Sequence, residues 1–174
     1  MIFSRSLKKN RQAIGGSFLP HLVLVYNQWH MAKQIHILLV DDDTQILRLI
    51  SAQLAAVGYE IIQAHDGNEG REMARRFQPD LILMDVRMPV MDGYKTLIYM
   101  KHEEVTKNIP VIFLTNEDFS IEGQKAAKEI GAEGYLPKSG RKEDLIAKVN
   151  EVLVKYGHEL PDGPVGEPGG YGKQ

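Results

Sequence analysis

Residues 35–64 read IHILLVDDDTQILRLISAQLAAVGYEIIQA, and the fold is decided by how this stretch is read. Its opening, residues 35–40, is a short apolar run of the kind that forms a strand buried on both faces of a parallel sheet. Thr44 then stands where a helix N-cap is expected. Ile46, Ile50, Leu54 and Val57 follow at spacings of three or four, one apolar stripe along a helix that Gly58 ends. Residues 60–64 form a second strand. The same alternation continues downstream. Asp66 and Gly67 turn the chain into a helix that runs to about Phe77, and Pro79 closes the linker. Residues 80–84 (DLILM) are a third strand and residues 93–104 a helix. Residues 109–114 (IPVIFL) are a fourth strand, and the helix over residues 121–130 stops at Gly131. Residues 134–136 make a short fifth strand. The last helix spans residues 142–156, with Leu145, Val149 and Val152 facing inward. Strands alternating with helices imply an α/β fold: a doubly wound, five-stranded parallel sheet with helices on both faces and right-handed crossovers. In such sheets chemistry gathers beyond the carboxyl ends of the strands.

The flanks differ from this core. Residues 1–33 show no periodicity and are expected to be a basic, disordered extension. Residues 1–30 carry Arg5, Lys8, Lys9 and Arg11 and no acid. Met31 directly precedes the first strand and is a candidate start. Residues 18–26 are too short, and too interrupted by Pro20 and His21, for a signal peptide. Residues 157–174 hold six Gly and three Pro, the composition of a disordered tail. Removing the four basic residues of the extension from the 21 in the chain leaves 17 against 23 acids, a net −6. That balance argues against nucleic acid as a partner of the main body. The absence of cysteine excludes disulfides, thiolate catalysis and Cys-based zinc sites. No apolar run reaches the length of a membrane helix, so the expected location is the cytoplasm.

Function-bearing residues collect at the strand ends. Asp41, Asp42 and Asp43 follow the first strand, Asp85 the third, Thr115 and Asn116 the fourth, and Lys138 the fifth. Singly, each has an ordinary explanation as a cap, a turn residue or a solvated charge. Asp43 keeps that explanation, as an acid serving the first turn of the helix. Jointly, the others assemble carboxylates, a hydroxyl and an ammonium on one edge of the sheet. Clustered carboxylates repel one another unless a cation joins them. An all-oxygen set suits Mg²⁺, and a carboxylate can act as the nucleophile toward phosphorus.

The segments ILLVDDD (37–43), LILMDVRMPVMDG (81–93), PVIFLTN (110–116) and GAEGYLPK (131–138) resemble the signature blocks of response-regulator receiver domains, over residues 34–156. The resemblance implies the flavodoxin-like strand order 2-1-3-4-5. It implies that Asp85 accepts a phosphoryl group from a histidine kinase or a phosphotransfer protein. Asp42, Asp85 and the backbone carbonyl of Arg87 would ligate Mg²⁺, with Asp41 acting through water. Lys138 would contact the phosphoryl group and the acceptor carboxylate, Thr115 would hydrogen-bond the phosphoryl oxygen, and Tyr135 would swing inward as a switch. The expected function is a stand-alone receiver, not an enzyme, that signals through an unknown downstream protein in a phosphorelay. Two positions depart from the family pattern: Asn116 stands where a small residue is usual, and Ser139 where Pro is common. Two other classes fit less well. A phosphorylation-independent binding module would have lost part of the acidic set. A hydrolase of the haloacid dehalogenase type needs an Asp-x-Asp-x-Thr/Val run, which Asp41, Asp42, Asp43, Thr44 and Gln45 do not supply.

Overall fold

The computed structural model describes residues 34–116 and 121–161. The extension, the Met31 start and residues 162–174 of the expected tail lie outside these described residues. Five strands and five helices alternate: β1 (His36–Val40), α1 (Thr44–Ala55), β2 (Glu60–Ala64), α2 (Gly67–Phe77), β3 (Leu81–Asp85), α3 (Gly93–His102), β4 (Val111–Thr115), α4 (Ile121–Glu129), β5 (Gly134–Pro137) and α5 (Lys142–Lys155). All pairings are parallel. The order is β2-β1-β3-β4-β5, as the resemblance implied.

The layers follow from the two-residue period of a strand. Ile37 and Leu39 of β1, Leu81 and Leu83 of β3, and Ile112 and Leu114 of β4 face one side. There they pack with Leu47, Ile50 and Leu54 of α1 and with Leu145, Val149 and Val152 of α5. The alternate residues Leu38, Val40, Ile82, Met84, Val111 and Phe113 face the other side, against Ala74 of α2, Leu97 and Met100 of α3, and Ala127 of α4. The central strands are therefore apolar on both faces, which is why they read as unbroken runs. Each fully buried Leu or Ile in these layers contributes about 1.5–3 kcal/mol through removal from water.

Some expectations shift by a residue or two. The N-cap of α1 is Asp43, not Thr44: its carboxylate accepts from the backbone N–H groups of Gln45 and Ile46, and Thr44 is the first helical residue. An ionised acceptor at the positive end of the helix outcompetes a hydroxyl one residue later. The centre of the α1 stripe is Leu47, Ile50 and Leu54, with Ile46 and Val57 half-buried at its margins. Ile35 and Ile109 are buried but precede their ladders. β3 runs through Asp85, which pairs with Leu114.

Residues 157–161, assigned to the tail by composition, are packed. Gly157 takes a positive φ of 83° and its N–H bonds the Val154 carbonyl, while the His158 N–H reaches back to Leu153. This left-handed turn ends α5 and sends the chain across the lower, amino-terminal edge of the sheet, where Leu160 packs on the α1/α5 core.

Candidate functional site at the carboxyl edge of the sheet

Parallel register brings the carboxyl ends of β1, β3, β4 and β5 to one edge. Asp41 follows β1, and its N–H still bonds Ala64 of β2 at 3.1 Å. Its Oδ1 accepts the Asp43 N–H at 2.9 Å, and this side-chain turn bends the chain toward α1. Asp41 is buried, while Asp42 is exposed. Asp85 and Thr115 are the last residues of β3 and β4, and both are buried. The N–H of Lys138 bonds the Thr115 carbonyl at 2.7 Å, which fixes where the lysine leaves β5.

The chain approaches itself closely at Gly93, the first residue of α3. Its N–H bonds the Val86 carbonyl at 2.9 Å, and a Cβ on Gly93 would lie 2.2 Å from the carbonyl oxygen of Asp85. Asp92 caps this helix through the Lys95 N–H at 2.8 Å. The Asp92-Gly93 pair therefore sets α3 directly against the backbone of Asp85.

Lys138 is the electrostatic centre of the site. Its Nζ lies 2.7 Å from Asp41 Oδ2 and 2.9 Å from Asp85 Oδ2, with the three side chains only 3%, 0% and 7% exposed. Burial pulls the ammonium toward losing its proton, but hydrogen bonding and charge attraction from Asp41 and Asp85 outweigh it and hold the pKa above the usual lysine value. Burial raises the Asp41 carboxyl above its ordinary range, against the opposing pull of Lys138 and the Asp43 N–H. Asp41 Oδ2 is buried, and the Lys138 ammonium at 2.7 Å is its partner.

Asp41, Asp42 and Asp85 each offer a carboxylate oxygen within 4.8 Å of the others. An all-oxygen set of this size fits a hard divalent cation such as Mg²⁺. Asp42, Asp85 and Asp41 are the side chains that would hold it.

Residues 37–150 match the family described as the response regulator receiver domain. The chain belongs to this family. It is 37% identical over 138 residues to the DNA-binding dual master transcriptional regulator RpaA of Synechocystis, covering 74% of this chain and 57% of that one. It is 33% identical to protein PilH of Pseudomonas aeruginosa, covering 68% of this chain and 97% of PilH. The chain thus spans about half the length of the first curated relatives it matches, though nearly all of PilH. Among solved structures, chemotaxis protein CheY4 of Vibrio cholerae is similar with a TM-score of 0.65 and 34% identity, covering 68% of this chain and 98% of that one. Residues 37–150 are accordingly a receiver domain of two-component signalling, a signalling domain whose family binds Mg²⁺ in an acidic pocket. Among the described residues, no helix is long and apolar enough to cross a membrane.

Sequence reasoning about the receiver site missed one contact, the direct pairing of Lys138 with Asp41. No spacing in the sequence signals it: β1 and β5 are separated in the sheet by β3 and β4, and only the common edge brings their ends together. The remaining expected residues lie around the pocket. The Arg87 side chain is exposed in the loop after Asp85, Asn116 is exposed after Thr115, and Tyr135 is half-buried on β5 against the α2/α3/α4 core. The turn around Ser139 closes by a bond from the Gly140 N–H to the Pro137 carbonyl at 3.0 Å, and no cis peptide bond occurs among the described residues.

Proposed function

We propose that this receiver takes a phosphoryl group on Asp85 from a histidine kinase or a phosphotransfer protein and signals through a partner protein. The observation that carries the reading is the buried Lys138 ammonium, 2.7 and 2.9 Å from two carboxylates on different strands. An Asp85 oxygen attacks the phosphorus of a phosphohistidine; the new O–P bond forms as the N–P bond breaks, and the leaving imidazole takes up a proton. The Lys138 ammonium stands 2.9 Å from Asp85 Oδ2, beside the attacking oxygens. Charge gathers on the phosphoryl oxygens during transfer, and the Lys138 ammonium and the Thr115 hydroxyl are the donors on this chain that would meet it. Mg²⁺, held by Asp42, Asp85 and the Arg87 carbonyl with Asp41 acting through water, would supply further positive charge to the same oxygens.

The partner surface we favour is formed by α4, β5 and α5. A groove of about 520 Å³ lies there, lined by Lys128, Glu133, Tyr135 and Lys155 among others. Tyr135 belongs both to this groove and to the strand that leads to Lys138, so a change at the pocket has a short route to the surface. PilH, whose length is covered almost whole, is a relative scarcely longer than the matched receiver region itself.

Incubation with Mg²⁺ and a small phosphodonor, followed by intact mass, tests the assignment. The native chain should gain one phosphoryl group, and both Asp85→Asn and chelation should abolish the gain. Undiminished modification of Asp85→Asn would remove Asp85 from the role.

A further inference from the structure

A cavity of about 160 Å³ lies between α1 and the turn that follows β5. Its walls are apolar at Leu49 and Ile50 of α1, at Pro137 and at Leu145 of α5, and polar at Gln53 and Ser139. Lys138 lines it too, so the cavity adjoins the acidic pocket. Leu49 is 51% exposed, whereas the α1 stripe beside it is buried or half-buried. An aliphatic side chain at the mouth of an open cavity gains by being covered. Sites for small molecules typically enclose about 300–1,000 Å³, so this cavity is of a size for one large side chain.

The chain itself leads back to this face. Beyond α5 it turns at Gly157, Leu160 packs on the α1/α5 core, and Pro161 lies against Gly58, just past the end of α1. A Cβ on Gly58 would stand 2.9 Å from the Cβ of Pro161. From Leu49 to Ala55 a helix rises about 9 Å, and the turn to Gly58 adds a few more. Tyr171 lies ten residues beyond Pro161, and that length of extended chain covers about 33 Å, so the ring reaches the cavity with slack. Val165, four residues beyond, covers about 13 Å only when fully extended, and its side chain is smaller. Gly169, Gly170 and Gly172 flank Tyr171 and add no side chains that would hold its backbone off a surface. A tyrosine needs an apolar enclosure for its ring and a partner for its hydroxyl, and the cavity offers both.

We propose that residues 162–171 return along α1 and seat the Tyr171 ring in this cavity, with its hydroxyl at Gln53 or Ser139. The ring covers Leu49, and the tail closes the flank of the acidic pocket beside Lys138. Ser139, which stands where Pro is common, supplies a hydroxyl that proline lacks.

The chain has no cysteine, so introduced pairs report proximity without background. Gln53→Cys with Gly172→Cys places one thiol at the cavity and the other beside Tyr171, whose ring is kept. Phe77→Cys with Gly172→Cys is the control, because Phe77 ends α2 on the opposite face of the sheet and is 47% exposed. Disulfide closure is timed in the full chain, dilute, in a glutathione buffer, and each rate is divided by the reactivity of the same thiols toward a small disulfide. Docking raises the effective concentration of one thiol at the other, so closure at the cavity should be about tenfold faster than at Phe77, or more. Adding Tyr171→Ala should bring the two rates within about twofold, since the cost of closing a free loop varies slowly with its length. Equal rates in the two pairs, or an advantage that survives Tyr171→Ala, would overturn the proposal. So would a disulfide that forms between mixed Gln53→Cys and Gly172→Cys chains and not within one chain, which would give the cavity to a second copy. No phosphodonor enters the test, so its outcome is independent of the role of Asp85.

Discussion

Replacing Lys138 by methionine isolates the electrostatics of the acidic pocket, because it removes the ammonium and keeps most of the stem's volume. Asp41 and Asp85 would be left as neighbouring, nearly buried carboxylates, with oxygens within 4.8 Å of one another. At an effective dielectric of about 20, two like charges at that distance repel by about 3.5 kcal/mol. Removing one partner from a buried ion pair costs about 3–5 kcal/mol in general, so the two estimates agree. We expect Lys138→Met to lose about 3–4 kcal/mol of unfolding free energy at neutral pH in the presence of a chelator. Two conditions should return part of it. Mg²⁺ binds the folded carboxylates and so restores stability by mass action. Acidification protonates one carboxyl. The Asp41 pKa is already raised in the fold, so its ionisation opposes folding. Its contribution is most favourable below its unfolded pKa and is lost as pH rises through the folded value; without Lys138 that loss is larger. Urea unfolding of native and variant chains at neutral pH with chelator, at neutral pH with Mg²⁺, and near pH 5 with chelator gives all three numbers. A loss under about 1 kcal/mol in chelator would refute the reasoning. So would a loss that neither Mg²⁺ nor acid reduces.

Three further outcomes follow from the loop after the acceptor and from the pocket rim. Gly93→Ala places a methyl group 2.2 Å from the Asp85 carbonyl oxygen; it should cost about 3 kcal/mol in denaturant unfolding and slow phosphorylation by displacing Asp85. Val90 is 89% exposed at a φ of 68°, and the Met91 N–H bonds the Pro89 carbonyl at 2.8 Å, which is the rare, strained form of the γ-turn. Val90→Gly relieves that strain against the entropy cost of glycine, and a net gain of about 0.5–1 kcal/mol is expected; a loss in thermal or urea unfolding would mean the turn is not strained. Arg87 lies two residues after Asp85 and Asn116 follows Thr115, both exposed; if their side chains reach the acceptor, bulk there should impede in-line attack. Arg87→Ala should speed loss of the phosphoryl group and Asn116→Ala should speed loading from small donors, by roughly tenfold or less, as read by intact mass against time.

Much of this protein is local and therefore legible in its sequence. The limits of β2 and α2 follow from an apolar run and from the turn at Asp66 and Gly67, whose physics involves neighbours only. Periodicity identified five strands and five helices, and polar residues at strand ends identified the site because a parallel sheet presents those ends together. The residues at fault were those whose role depends on a distant partner. Asp85 looks like the residue after a strand, because aspartate disfavours strands, yet the ladder to Leu114 includes it. Ile35 and Ile109 look like strand residues because they are apolar, but burial does not require pairing. The Asp41–Lys138 contact needs the ends of two strands that are not neighbours in the sheet. The packing of residues 157–161 overrides a tail-like composition, because Leu160 packs on the α1/α5 core and His158 meets Asp80 in the linker before β3, neighbours that only the closed fold assembles. Composition and spacing determine which elements form and which edge of the sheet carries chemistry. Tertiary structure decides which charges meet, since the attraction between them depends on distance and on burial that no stretch of chain sets alone.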